Sequence, residues 1–144
     1  MSRWVPTTLA AEADLLPGFA FKSRGYAADG IRLLRGDNIG QGVVRWDGAK
    51  TWSAVHEPEL DRYRLEYGDV IRAMDRPWIE AGLKFAAITP SDLPCLLVQR
   101  VARLRGGRSL DTQFLRYLIA SPAFTRHVLA VQTGTAVPHI SGGQ

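Results

Sequence analysis

Between Ile31 and Arg105 the apolar residues come in short runs, at 31–34, 42–46, 69–74, 84–88 and 96–104, each separated from the next by glycine, proline or small polar residues. This spacing constrains the fold more than any other feature. Runs of this length bounded by turn residues read as β-strands. Parallel neighbours need a dozen or more residues of crossover, and most of these gaps cannot hold a helix. The expectation is an α/β (α+β) domain whose twisted, largely antiparallel or mixed sheet spans residues 31–105. The run at 96–104 alternates only loosely, because Arg100 shares a face with Val98, Ala102 and Leu104. Gly106-Gly107 ends it.

The texture changes on either side of that block. Pro6, Pro17, Gly18 and Gly25 punctuate the opening segment, where residues 9–16 could form a turn or two of helix before Pro17-Gly18. After Gly107, Asp111 is a plausible N-cap for a helix carrying Phe114, Leu115, Leu118 and Ile119 as an apolar stripe. Ser121-Pro122 interrupts this helix and starts a second one, with Phe124, Val128 and Val131 repeating at helical spacing and Gly134 closing it. No repeat or linker divides the 144 residues, so one domain is expected over 1–144.

Several kinds of chemistry are unsupported. His56, His127 and His139 are scattered, and Cys95 is the single cysteine, so neither a zinc site nor an internal disulfide is expected; a lone thiol fits a reducing, cytoplasmic setting. No apolar stretch approaches the roughly 18 residues of a membrane span. Glu57, Glu59 and Asp61 cluster in a polar, proline-containing segment that reads as a solvated loop rather than a catalytic pair. Gly36, Gly40 and Gly42 lack the lysine and following helix of a phosphate-binding loop. Charge is more telling: residues 1–92 hold 12 basic and 13 acidic side chains, whereas 93–144 hold 6 basic and 1 acidic. Fifteen of the 18 basic residues are arginine, whose planar fork suits phosphate and guanine. An arginine-rich codon bias accounts for the same count, so composition permits a nucleic-acid partner without requiring one.

The order of the segments resembles the target-recognition domain of specificity subunits from type I restriction-modification systems. The resemblance runs from Trp4 to Leu9, through Gly18-Phe19-Ala20-Phe21-Lys22-Ser23 and Tyr26, to Gly30-Ile31-Arg32-Leu33-Leu34-Arg35-Gly36-Asp37-Asn38-Ile39 and Gly42-Val43-Val44. It continues in Leu65-Glu66-Tyr67-Gly68-Asp69-Val70-Ile71 and Val98-Gln99-Arg100-Val101-Ala102-Arg103-Leu104. Phe114-Leu115, Ser121-Pro122-Ala123-Phe124 and Gly134-Thr135-Ala136-Val137-Pro138-His139-Ile140-Ser141 complete it. In the family this last piece leads into a long spacer helix. Here the chain stops at Gln144, and the expectation is a domain truncated before that helix.

The resemblance implies a non-catalytic, sequence-specific DNA-binding module that reads one half of a bipartite site in double-stranded DNA. Methyltransferase subunits and a restriction/translocase subunit would be its partners, with a second recognition domain or self-association alongside, and no membrane. No cofactor is expected in this chain; S-adenosylmethionine, ATP and Mg would belong to those partners. The alternative is a partner-docking or dimerisation fragment that does not read DNA independently; exposure of Phe124, Val128 or Val137 would favour it. Readers should be polar side chains on loops and strand ends. One candidate stretch is Arg72, Asp75, Arg76, Trp78 and Lys84, with a structural turn as the competing reading. A second is Arg35, Asn38, Gln41 and Arg45, where Asp37 and Asn38 could instead satisfy their own backbone. Lys22, Ser23 and Arg24 could position phosphate or form a plain solvated loop, and Arg103, Arg105 and Arg108 could add a broader electrostatic contact.

Overall fold

A computed structural model describes residues 6–75, 78–79, 82–131 and 140. A short helix α1 (Leu9–Glu12) leads into strand β1 (Ala13–Pro17), followed by β2 (Ile31–Leu34), β3 (Thr51–Trp52), β4 (Val70–Ala73), β5 (Trp78–Ile79), β6 (Gly82–Leu83), β7 (Phe85–Ala87), β8 (Cys95–Leu97) and β9 (Val101–Gly106). Helices α2 (Thr112–Ile119) and α3 (Pro122–Val131) close the order. One antiparallel sheet runs β1-β9-β4-β7, a mixed sheet runs β3-β2-β8, and β5-β6 form a hairpin. The parallel pairing is β2 with β8, setting Leu33 opposite Leu96.

The four-stranded sheet is covered on both faces. Strand periodicity sends Ile71 and Ala73 to one side, where they share a core with Leu16, Val101, and Leu34 and Leu97 of the mixed sheet. Val70 and Leu104 face the other side, against Leu115, Ile119 and Val128 of the helices. Each fully buried Leu or Ile there contributes about 1.5–3 kcal/mol. The far face of the mixed sheet is capped by aromatic rings, Phe21 standing edge-on to Phe19 at 4.9 Å and to Trp52 at 5.0 Å. None of the described helices is long and apolar enough to cross a membrane.

The fold class agrees with the sequence reading, and four details differ. Two sheets and a hairpin replace the single sheet over 31–105, and the larger sheet takes β1 from the opening segment. The expected helix at 9–16 stops at Glu12, because residues 13–17 bond to β9, Ala13 opposite Gly106 through Pro17 opposite Ala102. The expected strand at 42–46 is a loop with one isolated bridge, Ile39 to Val44. The apolar run at 96–104 is two strands broken at Gln99-Arg100. Asp111 caps α2 as expected, its carboxylate accepting from the Gln113 amide at 2.7 Å. Of the expected stripe, however, only Leu115 and Ile119 are buried, and Phe114 and Leu118 face solvent. Phe124, Val128 and Val131 do pack inward, while Gly134 and Val137 lie outside the described residues.

Candidate nucleic-acid interface

A concave groove of about 410 Å³ gathers Arg35 and Asp37, Asp75, Lys84, and Gln99 and Arg100, with Phe21 and Tyr26 on its wall. Arg35 follows β2 at the start of a tight turn, Gly36–Asn38. Buried Asn38 holds that corner: its Oδ1 accepts from the Arg35 amide at 3.0 Å and its Nδ2 donates to the Arg45 carbonyl at 3.0 Å. Gln99 and Arg100 form the turn between β8 and β9, with Arg100 in the left-handed region at φ 66°. The turn is fixed from below by the opening segment, since Gly18 and Phe19 donate to the carbonyls of Val101 and Leu97, both at 3.0 Å, and Gln99 donates to Phe19 at 2.8 Å. A Cβ on Gly18 would lie 2.1 Å from the Val98 carbonyl oxygen, so only glycine allows this approach. Arg100 Nη1 meets Asp75 Oδ2 at 2.7 Å, a pair that aims the guanidinium while leaving most of it exposed. Lys84 lies between β6 and β7, its carbonyl accepting from the Ala73 amide at 3.0 Å.

The structure thus brings Arg35, Asp75 and Lys84 together. Lys22, Ser23 and Arg24 are exposed on a short turn between the two aromatic wall residues. Gln41 is half-buried beside Gly82 and bridges Phe85, its Nε2 without a partner among the described residues. Arg45 is exposed, and its amide donates to the Asn38 carbonyl at 2.7 Å. The Trp78 backbone pairs with Leu83, and Arg76 lies outside the described residues.

Two expectations are corrected. Asn38 is buried with both ends of its amide committed to backbone, so it has nothing to offer a base. Arg72 is buried on the helix-facing side of β4, 5.9 Å from the Phe124 ring, and has no exposed fork for DNA. Of the wider arginine set, Arg103 is buried and pairs with Asp14, Arg105 is half-buried and forks onto buried Asp69, which raises its pKa, and Arg108 is exposed. Glu57 accepts from Trp52 Nε1 at 2.9 Å, and Asp61 pairs with His56 at 2.9 Å, so this acidic segment is tied down locally. No cluster of three or more metal-type ligands occurs among the described residues.

The sequence reading missed Gln99 and Arg100. Their signal is that they are adjacent polar residues inside an apolar run, where period-two alternation fails.

No protein-family model matches the chain. It is 37% identical over 147 residues to the type I restriction enzyme EcoAI specificity subunit of Escherichia coli, covering 98% of this chain and 24% of that protein. It is 32% identical over 141 residues to the type I restriction enzyme MjaVIII specificity subunit of Methanocaldococcus jannaschii, covering 95% of this chain and 32% of that one. The chain therefore spans about a quarter to a third of the length of these relatives. Its fold is similar to the type I restriction-modification S subunit from M. genitalium, with TM-score 0.58, 15% identity, and coverage of 95% of this chain and 31% of that one. With almost its whole length matched in sequence and in fold, the chain belongs to the family of type I restriction enzyme specificity subunits and corresponds to a target-recognition domain.

Proposed function

We propose that this chain is one sequence-specific DNA-binding domain that reads one half of a bipartite site and thereby directs adenine methylation and restriction by partner subunits. The observation that supports it best is the groove, where Arg35, Lys84 and the Gln99-Arg100 turn converge from separate parts of the chain. Arg35 and Arg100 suit guanine edges, and Gln99 offers the amide that pairs with adenine, whereas the Gln41 Nε2 is buried and withheld from a base. Lys22, Ser23, Arg24 and Arg45 are assigned to phosphate, fixing register without reading sequence. Arg76 and Trp78, one and three residues after Asp75, remain in the proposed contact set. The domain itself needs no cofactor on this reading; S-adenosylmethionine, ATP and Mg belong to the partner subunits.

The test is enrichment of a randomised duplex pool on the purified chain at about 150 mM salt, near physiological ionic strength. A short enriched motif supports half-site reading. Retention without enrichment leaves only phosphate binding and rejects the reader assignments.

A second reading, docking of a methyltransferase subunit or a second copy, is favoured by a different observation. Phe114, Tyr117 and Leu118 of α2 are 55%, 67% and 37% exposed at helical spacing, presenting an apolar face to solvent. Gel filtration with and without a methyltransferase subunit tests it, and binding to the subunit without binding to any duplex would replace the first reading.

A further inference from the structure

On the side of the four-stranded sheet that carries the helices, a cavity of about 640 Å³ opens between α1, β1 and α3. Its size falls within the range of small-ligand sites. Leu9, Leu15, Leu104, Phe124 and Ile140 make the lining largely apolar, and Arg72 is the charged group set among them. Arg72 is only 4% exposed, and its Nη1 has no hydrogen-bond partner among the described residues. The one carboxylate on the lining, Asp14, is engaged by Arg103. Burial pulls the Arg72 pKa down to about 10, so the side chain is still a cation at neutral pH. The described residues thus offer this buried cation no free carboxylate; an uncompensated buried charge is costly, and its ordinary remedy is a hydrogen-bonded counter-charge.

We propose that this cavity binds a small organic monocarboxylate with an apolar body, its carboxylate forked onto Arg72 and its hydrocarbon against Leu15, Leu104 and Phe124. One guanidinium matches one negative charge, and its planar pair of N–H groups matches the two carboxylate oxygens. The apolar walls select against a bare hydrated anion. Nothing in this depends on DNA reading by the groove.

The test is ligand-observed NMR on the purified chain with hexanoate, hexanol and inorganic phosphate as probes. Hexanoate is expected to bind roughly tenfold or more tightly than hexanol, as a charge-assisted hydrogen bond implies, and more tightly than phosphate. Arg72→Met should abolish the preference for hexanoate over hexanol. Equal binding of hexanoate and hexanol, equal binding of phosphate, absence of hexanoate binding, or a preference that survives in Arg72→Met each overturns the proposal. Should Arg72→Met not fold, Ala10→Phe serves instead, because Ala10 is an exposed residue on the cavity lining and leaves Arg72 in place. It is expected to weaken hexanoate roughly tenfold, and unchanged affinity overturns the proposal.

Discussion

Asn38, buried beneath the Arg35 corner, and Arg100, on the lining of the groove, should respond to mutation in opposite ways. Asn38→Ala leaves the Arg35 amide and Arg45 carbonyl without their partners, a loss of about 1–3 kcal/mol readable by urea denaturation. Arg100→Ala removes one exposed ion pair, so stability should stay within about 1 kcal/mol of the parent. Duplex affinity should fall, however, with about 1–3 kcal/mol of discrimination lost at one base position if Arg100 reads a base. A uniform loss across all sequences would make Arg100 a phosphate contact instead. Cys95 offers a prediction in pH. Burial, and secondarily Asp92, push its thiol up to about 12 from 9.0, so the folded state holds the proton more tightly than the unfolded one. Its contribution to stability is therefore complete below pH 9 and is lost as pH rises toward 12. Stability curves at alkaline pH should fall more steeply for the parent than for Cys95→Ala, and identical slopes would refute this origin.

At the level of elements, the turn between β8 and β9 is the piece on which the groove depends. Its left-handed Arg100 costs roughly 1–2 kcal/mol relative to glycine. Arg100→Gly should therefore keep or slightly raise the thermal midpoint while weakening duplex binding as much as Arg100→Ala does. That pairing separates the demand of the backbone from the demand of the ligand. The Asp111 cap is independent of the groove, and Asp111→Ala should cost about 1 kcal/mol with duplex affinity unchanged. These two sites also show what local sequence can reveal. The α2 cap and the Ser121-Pro122 break rest on interactions within a turn of helix, and they are legible. The Gln99-Arg100 turn is set by Gly18 and Phe19, some eighty residues earlier, and a window of local pattern cannot contain that. The loop at 42–46 has strand-like residues but bonds mainly to its own corner, with the Gly40 amide donating to Val43 at 2.8 Å.

Across the whole molecule, charge separates into cations used inside and cations offered outside. Arg72 is buried, and Arg103 and Arg105 are paired with Asp14 and Asp69; because the last two belong to residues 93–144, the +5 excess of that segment overstates its external field, and neither can be told from a free arginine by sequence. The family and the fold class are legible in the sequence; the division of arginines between core and surface is not, because burial is a three-dimensional property. The exposed cations assigned to phosphate, Lys22, Arg24 and Arg45, predict a log–log salt slope of duplex affinity of roughly −3, at about −0.9 per phosphate neutralised. Anisotropy titrations at several salt concentrations measure it, and a slope near zero would exclude a phosphate-tracking groove. The groove is also assembled from parts far apart in the chain, beginning at Phe21 and ending at Arg100, with Arg35, Asp75 and Lys84 between. Synthesis runs from one end to the other, and domains fold as their residues emerge. Until Arg100 has left the ribosome, the growing polypeptide holds single strands and turns but not this groove, so the surface proposed to meet DNA takes shape only after residue 100 has been made.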